Sequence, residues 1–307
     1  MARRPGARGG PGEPGNAAGV AGWDQPRLVL EVDGVRLRVS VVGDIDGSAS
    51  GVTPNPGQPP LLLCNGIGGA IELWEPFRAA LGAYPSIAFD APGVAESSVP
   101  AYPPTMANLA DILVHLLDHL GVAQADALGV SWGGALAQEL TRRHPDRIRR
   151  LVLCATAAGG LMLPGHPRVM AILATPLRYW SPSYLNRVAP VLYGPDICDD
   201  PEMLSRQRHI RFTRSPSGRG YLYQVLALRR FASALWLHRL RQPTLVLHGD
   251  ADPIVPAANG RILASRIPGA RLVTVPGGGH LFLLTRPEAM AALITDFLTD
   301  PAAPLSR

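Results

Sequence analysis

The chain has 307 residues, of which 47% are hydrophobic, and it carries a formal net charge of +5 at pH 7. Length and apolar fraction are ordinary for one catalytic domain with an insertion. The positive charge is spread too evenly to indicate nucleic-acid binding. Because the sequence contains no lysine, Schiff-base chemistry and a P-loop lysine are excluded, since each needs a primary amine.

The first 22 residues are rich in glycine, proline, alanine and arginine, with no apolar segment after the arginines. This composition is typical of a disordered tail and not of a signal peptide. No run approaches the ~20 apolar residues that span a membrane. We therefore expect a cytoplasmic protein with a disordered tail at residues 1–22 and no transmembrane segment.

Cysteine and histidine spacing gives no sign of a bound metal. The three cysteines, Cys64, Cys154 and Cys198, indicate neither a disulfide framework nor a zinc site. His115 and His119 have the i,i+4 spacing of a ligand pair, but the acidic residues that accompany them predict a solvated helix face. We expect no metal and no cofactor.

The predicted elements begin with two runs that alternate apolar and polar residues, Leu28–Val32 and Val35–Val42. The Asp-Gly pair between them predicts an antiparallel hairpin. Later apolar runs alternate with helical patterns, which predicts an α/β fold whose mostly parallel, eight-stranded sheet has helices on both faces. These runs are Leu61–Cys64, Ser86–Asp90, Ala125–Val130, Leu151–Cys154, Thr244–His248 and Leu272–Val275.

The longest interval between predicted strands covers residues 157–241, and several prolines interrupt its helical periodicity. A segment that leaves a sheet and returns to it is more simply an insertion than a second domain. We predict a helical cap at 157–241 over a core made of residues 23–156 and 242–300. Such a cap lies over the strand ends, where ligands bind.

Residues 129–133 read Gly-Val-Ser-Trp-Gly, a G-x-S-x-G pattern between a predicted strand and a predicted helix. A sharp strand-to-helix turn of this form exposes the serine hydroxyl. Ser131 is therefore the candidate nucleophile. The alternative is a glycine-lined turn that carries no chemistry.

A serine hydroxyl needs a base within hydrogen-bond reach, and the base needs a carboxylate that fixes its tautomer. His280 follows a predicted strand and a glycine-rich loop that can bring an imidazole to the sheet edge, so it is the candidate base. Asp250 and Asp252 both lie in the turn after the strand Thr244–His248, and either could be the carboxylate.

Acyl transfer also needs hydrogen-bond donors for the oxyanion. The turn at residues 65–69, Asn-Gly-Ile-Gly-Gly, follows an early strand, and its glycines let the backbone approach a substrate. We predict that the backbone N–H groups of Ile67 and Trp132 are the two donors. An ordinary tight turn is the alternative.

Five segments together resemble the α/β-hydrolase superfamily from about residue 28 to 298, and within it the intracellular medium-chain-length polyhydroxyalkanoate depolymerases. They are LCNGIG (63–68), DAPGV (90–94), GVSWGGALAQ (129–138), RGYLYQ (219–224) and GHLF (279–282). The resemblance implies an α/β-hydrolase fold with Ser131, Asp252 and His280 as a catalytic triad. Ala95 and Glu96 depart from the family pattern, where a glycine-rich continuation is usual.

In that family a serine attacks a polyester carbonyl, and water then releases a 3-hydroxyalkanoic acid from the acyl-enzyme. The resemblance implies a polyester granule or a small ester as partner and a cytoplasmic location on such granules. A broad carboxylesterase, a carbon–carbon bond hydrolase and a noncatalytic ligand- or granule-binding protein are the alternatives. The candidate pocket residues are Asn65, Gly66, Met162, Trp180 and Tyr221.

The cap also contains Arg206, Arg208, Arg211 and Arg214. These arginines could orient a carboxylate product. We expect them instead to form a solvated cap surface, which is the usual place for such a run of charge.

Overall fold

A computed structural model describes residues 27–45, 58–160, 162–197 and 200–300. The predicted tail at 1–22 and Cys198 lie outside these ranges. The strands are β1 (Arg27–Val32), β2 (Val35–Val42), β3 (Leu61–Cys64), β4 (Ser86–Phe89), β5 (Ala125–Val130), β6 (Ile148–Cys154), β7 (Thr244–Gly249) and β8 (Arg271–Val275).

The eight strands of the described residues form one sheet in the order β1-β2-β4-β3-β5-β6-β7-β8. Strand β2 is antiparallel to both of its neighbours, and every other neighbouring pair is parallel. The predicted hairpin is confirmed, because Asp33 and Gly34 connect β1 to β2 with φ angles of 51° and 72°. A two-residue turn with positive φ at both positions matches the twist of the flanking strands.

Helices cover both faces of this sheet, as the continuous apolar strands predict. The helices are α1 (Glu75–Leu81), α2 (Met106–His119), α3 (Trp132–Arg143), α4 (Pro167–Leu173), α5 (Leu177–Trp180), α6 (Pro182–Tyr193), α7 (Pro201–Thr213), α8 (Gly218–Arg229), α9 (Ala258–Arg266), α10 (Phe282–Thr285) and α11 (Pro287–Thr299). Helices α2, α3 and α9 share one apolar cluster with the sheet, while α1 and α11 share another on its opposite face.

Strand β3 contributes side chains to the apolar clusters on both faces of the sheet. Leu62 and Cys64 belong to the cluster with α2 and α3, whereas Leu61 and Leu63 belong to the cluster with α1 and α11. Successive side chains of a strand point to opposite faces, so a strand buried on both sides must be apolar throughout. The predicted mostly parallel α/β architecture is thereby confirmed.

A helical insertion separates β6 from β7, since helices α4 to α8 all fall between these two strands. Prolines begin α4 and α6, which accounts for the interrupted periodicity of this segment. Buried residues of α4 and α6 share an apolar cluster with Ile254, Val255, Leu281 and Leu284. The cap therefore packs on the turn after β7 and on the start of α10.

No helix in the described ranges is long and apolar enough to cross a membrane.

Candidate active site

Ser131 occupies the sharp turn between β5 and α3, with φ 54° and ψ −117°. A non-glycine residue with positive φ is strained, and such strain is characteristic of functional sites. The turn is fixed by the Ser131 N–H, which donates to the Cys154 carbonyl (3.0 Å), and by the Thr156 hydroxyl, which donates to the Ser131 carbonyl (2.7 Å). A Cβ atom at Gly133 would overlap the Cys64 carbonyl. Close packing of α3 on β3 thus requires this glycine.

The side chains of Asp252 and His280 contact each other, with 2.8 Å between Oδ2 and Nδ1. Both residues are buried, and the other carboxylate oxygen, Oδ1, accepts hydrogen bonds from the N–H groups of Ile254 (2.8 Å) and Val255 (3.0 Å). These backbone donors fix the carboxylate in the turn after β7. Because Asp252 occupies Nδ1, Nε2 is the nitrogen of His280 that is left for proton transfer.

Asp250, the competing carboxylate, has a different place in the same turn. It is exposed, and its Oδ1 accepts a hydrogen bond from the Gly277 N–H at 2.6 Å. Gly277 belongs to the loop that leads from β8 to His280. Asp250 therefore holds that loop against the end of β7, and its contacts are those of a turn residue.

Ser131 and His280 line the same cavity, which has a volume of about 510 Å³. The backbone N–H of His280 donates to the Tyr193 carbonyl at the end of α6 (2.8 Å). The cap thus contacts the backbone that carries the imidazole. Ser131, His280 and Asp252 follow β5, β8 and β7, and these parallel strands bring them to one edge of the sheet.

The loop after β3 lies against Ser131, since a Cβ atom built on Gly66 would be 3.6 Å from the Ser131 Cβ. The Asn65 side chain braces this loop by accepting from the Gly66 N–H (2.9 Å) and donating to the Ala70 carbonyl (2.8 Å). Within the described part of the chain, neither the Ile67 N–H nor the Trp132 N–H has a hydrogen-bond acceptor. Both predicted donors are therefore available to an oxyanion.

The cavity wall is predominantly apolar, and four of the five predicted pocket residues, Asn65, Gly66, Met162 and Tyr221, belong to it. Trp180 does not line the cavity and is 48% exposed, so this part of the prediction was wrong. The reason is that α5 is a single helical turn, of which only one side can face the cavity. Arg178 and Tyr179 occupy that side, and Trp180 lies on the other side, beside Gly218.

The structure also corrects the interpretation of the cap arginines. Arg206 pairs with Glu75 (2.8 Å) and Arg214 pairs with Glu96 (2.5 Å), whereas Arg211 is only 6% exposed and lines the cavity. Arg211 lies on the buried side of α7 with Gln207 and Ile210. The charge run predicted a solvated surface, and it is the packing of α7 that places Arg211 in the cavity wall.

Tyr179 was not among the predicted site residues. This buried tyrosine lines the cavity and donates its hydroxyl to the Ile67 carbonyl, directly beside a predicted oxyanion donor. The same hydroxyl accepts a hydrogen bond from Arg211 Nη1 at 3.0 Å. The contact joins α5 to a loop 112 residues earlier in the chain, and no local pattern carries that information.

No group of histidine, cysteine, aspartate or glutamate side chains in the described residues could hold a metal ion. His115 contacts Asp33 (2.6 Å), and His119 contacts the His115 carbonyl (2.8 Å). Both histidines of the i,i+4 pair therefore have hydrogen-bond partners within the protein.

The described residues combine a strained serine turn, a histidine paired with a buried aspartate, and two backbone N–H groups without acceptors, all at one edge of a parallel sheet. This combination is typical of serine hydrolases. The sequence model of the α/β hydrolase fold matches residues 59–287. The chain therefore belongs to the α/β-hydrolase fold family.

Comparison with individual proteins gives more specific relatives than the family does. The chain is 45% identical over 259 residues to a poly(3-hydroxyalkanoate) depolymerase of Ectopseudomonas oleovorans, covering 83% of this chain and 90% of that protein. It is 29% identical to a putative carbamate hydrolase of Caulobacter sp. strain K31, covering 85% and 99%. Among solved structures, an enol-lactonase from Burkholderia xenovorans superposes with a TM-score of 0.75 at 29% identity, covering 90% and 100% of the two chains.

Proposed function

We propose that this ester hydrolase cleaves the ester bonds of poly(3-hydroxyalkanoate) and releases 3-hydroxyalkanoic acids. The observation that carries the proposal is the combination of Ser131 and His280 in the wall of a predominantly apolar cavity beneath the cap. The similarity to the poly(3-hydroxyalkanoate) depolymerase supports the same substrate. No cofactor enters the chemistry that we propose.

In the first half of the proposed reaction, the Ser131 hydroxyl attacks the ester carbonyl while His280 Nε2 accepts its proton. The N–H groups of Ile67 and Trp132 donate to the oxyanion that develops. His280 then gives the proton to the leaving alkoxide, which departs as an alcohol. Asp252 keeps the imidazole in the tautomer that this step needs and stabilises the imidazolium.

In the second half, water attacks the acyl-enzyme. His280 accepts a proton from the water and returns it to the Ser131 oxygen as the acid leaves. The net reaction adds one water to one ester and gives an acid and an alcohol.

The apolar wall gives a reason for medium-length side chains. Leu173, Leu228, Leu281 and Leu284 line the cavity together with Met162. Each CH₂ group that moves from water into such a wall contributes about 0.8 kcal/mol. A pentyl side chain therefore gains more binding free energy than a methyl side chain.

We also propose that the cap contacts the surface of a polyester granule. Leu177 and Trp180 of α5 are 44% and 48% exposed, and Leu222 of α8 is 52% exposed. Trp180 packs beside Gly218, and Leu222 follows that glycine by four residues on the same helix. These three side chains, which we call the cap patch, form an apolar surface that suits a polymer.

The test of the function is acid release from amorphous poly(3-hydroxyoctanoate) and poly(3-hydroxybutyrate), measured for the wild type and for Ser131→Ala. We expect serine-dependent release from the octanoate polymer and little release from the butyrate polymer. p-Nitrophenyl octanoate is the soluble control. Cleavage of the soluble ester alone would identify a carboxylesterase and contradict the polymer as substrate.

A further inference from the structure

Two arginines are buried in the wall of the active-site cavity. Arg178 of α5 is 3% exposed and Arg211 of α7 is 6% exposed, and both line the cavity that contains Ser131. None of the described residues that line the cavity is an aspartate or a glutamate. The cavity therefore has fixed positive charge with no carboxylate in its wall.

Most of the hydrogen-bonding capacity of these arginines is unused. In the described residues, Arg178 donates only through Nη1, to the Tyr221 hydroxyl (2.9 Å) and the Thr175 carbonyl (3.3 Å). Arg211 donates only through Nη1, to the Tyr179 hydroxyl (3.0 Å), and its buried Nε has no acceptor. A guanidinium has five N–H groups, and a buried donor without a partner is costly.

The buried arginines of the core behave differently. All three guanidinium nitrogens of Arg38 donate to carboxylates, and all three of Arg78 donate to serine or carbonyl oxygens. Arg150, a third buried arginine outside the cavity wall, donates through both Nη atoms to the carbonyls of Phe297 and Asp300, while its Nε has no acceptor. Arg178 and Arg211 instead donate through Nη1 alone, and both line the cavity that contains the serine.

Aromatic rings hold the two guanidinium groups in place. The Tyr179 ring centre lies 4.7 Å from the Arg178 guanidinium carbon and 5.4 Å from that of Arg211. Tyr221 and Tyr193 each stack on one of these arginines as well. Stacking on a ring orients a guanidinium without using its N–H groups, which stay available to an anion.

The arginine pair also lies near the reacting centre. The Tyr179 hydroxyl accepts from Arg211 and donates to the Ile67 carbonyl, so two hydrogen bonds connect that guanidinium to the oxyanion loop. Both guanidinium groups are buried beside the Tyr179 ring, and a bound anion offsets the cost of burying their positive charge. A carboxylate matches the planar guanidinium in shape and hydrogen-bond pattern.

We propose that Arg178 and Arg211 bind the free carboxylate at the end of a 3-hydroxyalkanoate chain, so that the enzyme cleaves the terminal ester. This inference rests on the proposed polyester hydrolysis. In such a chain the terminal unit is esterified through its hydroxyl group, and only a CH₂ group separates its carboxylate from the carbon that bears the ester oxygen.

The proposed step follows the two-stage reaction described above. Ser131 bonds to the carbonyl of the penultimate unit, and the terminal unit leaves as the alcohol with the proton that His280 donates. Its carboxylate stays paired with the arginines until release. Water then frees the shortened chain from Ser131, and the new acid end can enter the same site.

The experiment compares two soluble substrates, the linear dimer of 3-hydroxyoctanoate as the free acid and its methyl ester at the carboxyl end. Chromatography measures cleavage of the internal ester at pH 7.5, and the readout is the ratio of kcat/KM for the acid to kcat/KM for the methyl ester. We expect a ratio of roughly 10 to 100 in the wild type, the usual effect of a hydrogen bond to a charged group.

Variants assign this preference to the two arginines. The ratio falls towards 1 in Arg178→Gln and in Arg211→Gln, and Arg211→Lys retains part of it. A variant that merely disturbs folding lowers both kcat/KM values together and leaves the ratio unchanged. The matched control is Arg208→Gln, because Arg208 belongs to α7 but not to the cavity wall, and its ratio equals that of the wild type.

Three negative results are distinguishable. Equal, serine-dependent cleavage of the acid and the methyl ester by the wild type would overturn the carboxylate site and leave the ester hydrolase in place. Failure to cleave either dimer, with Ser131→Ala no different from the wild type, would refute the proposed function itself. A high ratio that survives both glutamine variants would also overturn the role of the arginines.

Discussion

Asp250 and Asp252 lie two residues apart, and only their contacts separate a catalytic role from a structural one. Asp252 contacts His280 Nδ1, whereas Asp250 accepts the Gly277 N–H. Asp252→Asn leaves the imidazole without its charged partner and favours the wrong tautomer. We expect kcat for p-nitrophenyl octanoate to fall by about 10³- to 10⁴-fold.

Asp250→Asn is the matched control, because its amide oxygen still accepts from Gly277. We expect kcat within about threefold of the wild type, as for most substitutions that keep a turn contact. Equal losses in the two variants would refute the assignment of Asp252.

His248 makes the folded state sensitive to acid. Burial lowers the pKa of this histidine, whose Nε2 donates to the Val255 carbonyl (2.8 Å) next to the Asp252 turn. The unfolded chain binds a proton below about pH 6.5, while the folded protein keeps the ring neutral. The unfolded state therefore binds more protons, and the free energy of unfolding decreases as the pH falls.

Denaturant unfolding at pH 7 and pH 5 measures this contribution. We expect His248 to account for at most about 2 kcal/mol of the decrease, the limit set by the unfolded-state pKa. His248→Gln cannot gain a proton and should show a smaller decrease than the wild type. An identical pH dependence in the two proteins would contradict the explanation.

At the scale of elements, the serine turn depends on the contact between α3 and β3. Gly133→Ala places a Cβ atom on the Cys64 carbonyl, a backbone atom that cannot rotate away. We expect a loss of roughly 2–4 kcal/mol in the free energy of unfolding, typical of overpacking with backbone displacement. The measurement is urea unfolding followed by circular dichroism.

Gly160→Ala serves as the control for that substitution. The nearest atom to a Cβ at Gly160 is the Phe231 carbonyl oxygen at 3.7 Å, an ordinary contact. We expect its free energy of unfolding to stay within about 0.5 kcal/mol of the wild type. A stable Gly133→Ala protein would show that the close approach is not required.

The cap patch has a separable role in the proposed action on a polymer. Trp180→Ser removes an exposed aromatic side chain that does not line the cavity. We expect hydrolysis of granules of poly(3-hydroxyoctanoate) to fall by roughly tenfold, since less apolar surface is buried on the polymer. Hydrolysis of p-nitrophenyl octanoate should change little.

Val29→Ser, at an exposed position of β1, is the control and should affect neither reaction. Parallel losses on both substrates in Trp180→Ser would contradict this role.

At the scale of the whole molecule, sequence patterns were sufficient for the sheet. Continuous apolar runs predicted the strands because a strand covered on both faces has no polar alternation. The Asp-Gly turn predicted the hairpin for a local, conformational reason. Strand β6 begins at Ile148, three residues before the predicted run, because Arg149 and Arg150 interrupt the apolar pattern at a register irregularity between the pairs formed by Ile148 and Leu151.

The candidate site was predictable where local motifs mark it. Ser131 and the turn at 65–69 have such motifs, and the fold then brings them to one sheet edge. Arg178, Tyr179 and Arg211 have none, because their positions depend on how the cap packs over the core. The run of charges in α7 predicted that its arginines face solvent, and only the tertiary structure places Arg211 in the cavity.

The central claim is that Ser131 is an activated nucleophile beneath the cap, and active-site labelling tests it most directly. Folded protein is treated with a fluorophosphonate bearing an octyl chain, and peptide mass spectrometry locates the adduct. We predict one adduct on Ser131 that is absent from Ser131→Ala and strongly slowed in His280→Gln, because the probe reacts only with an activated serine. An adduct on another residue, or no adduct on folded wild-type protein, would contradict the account.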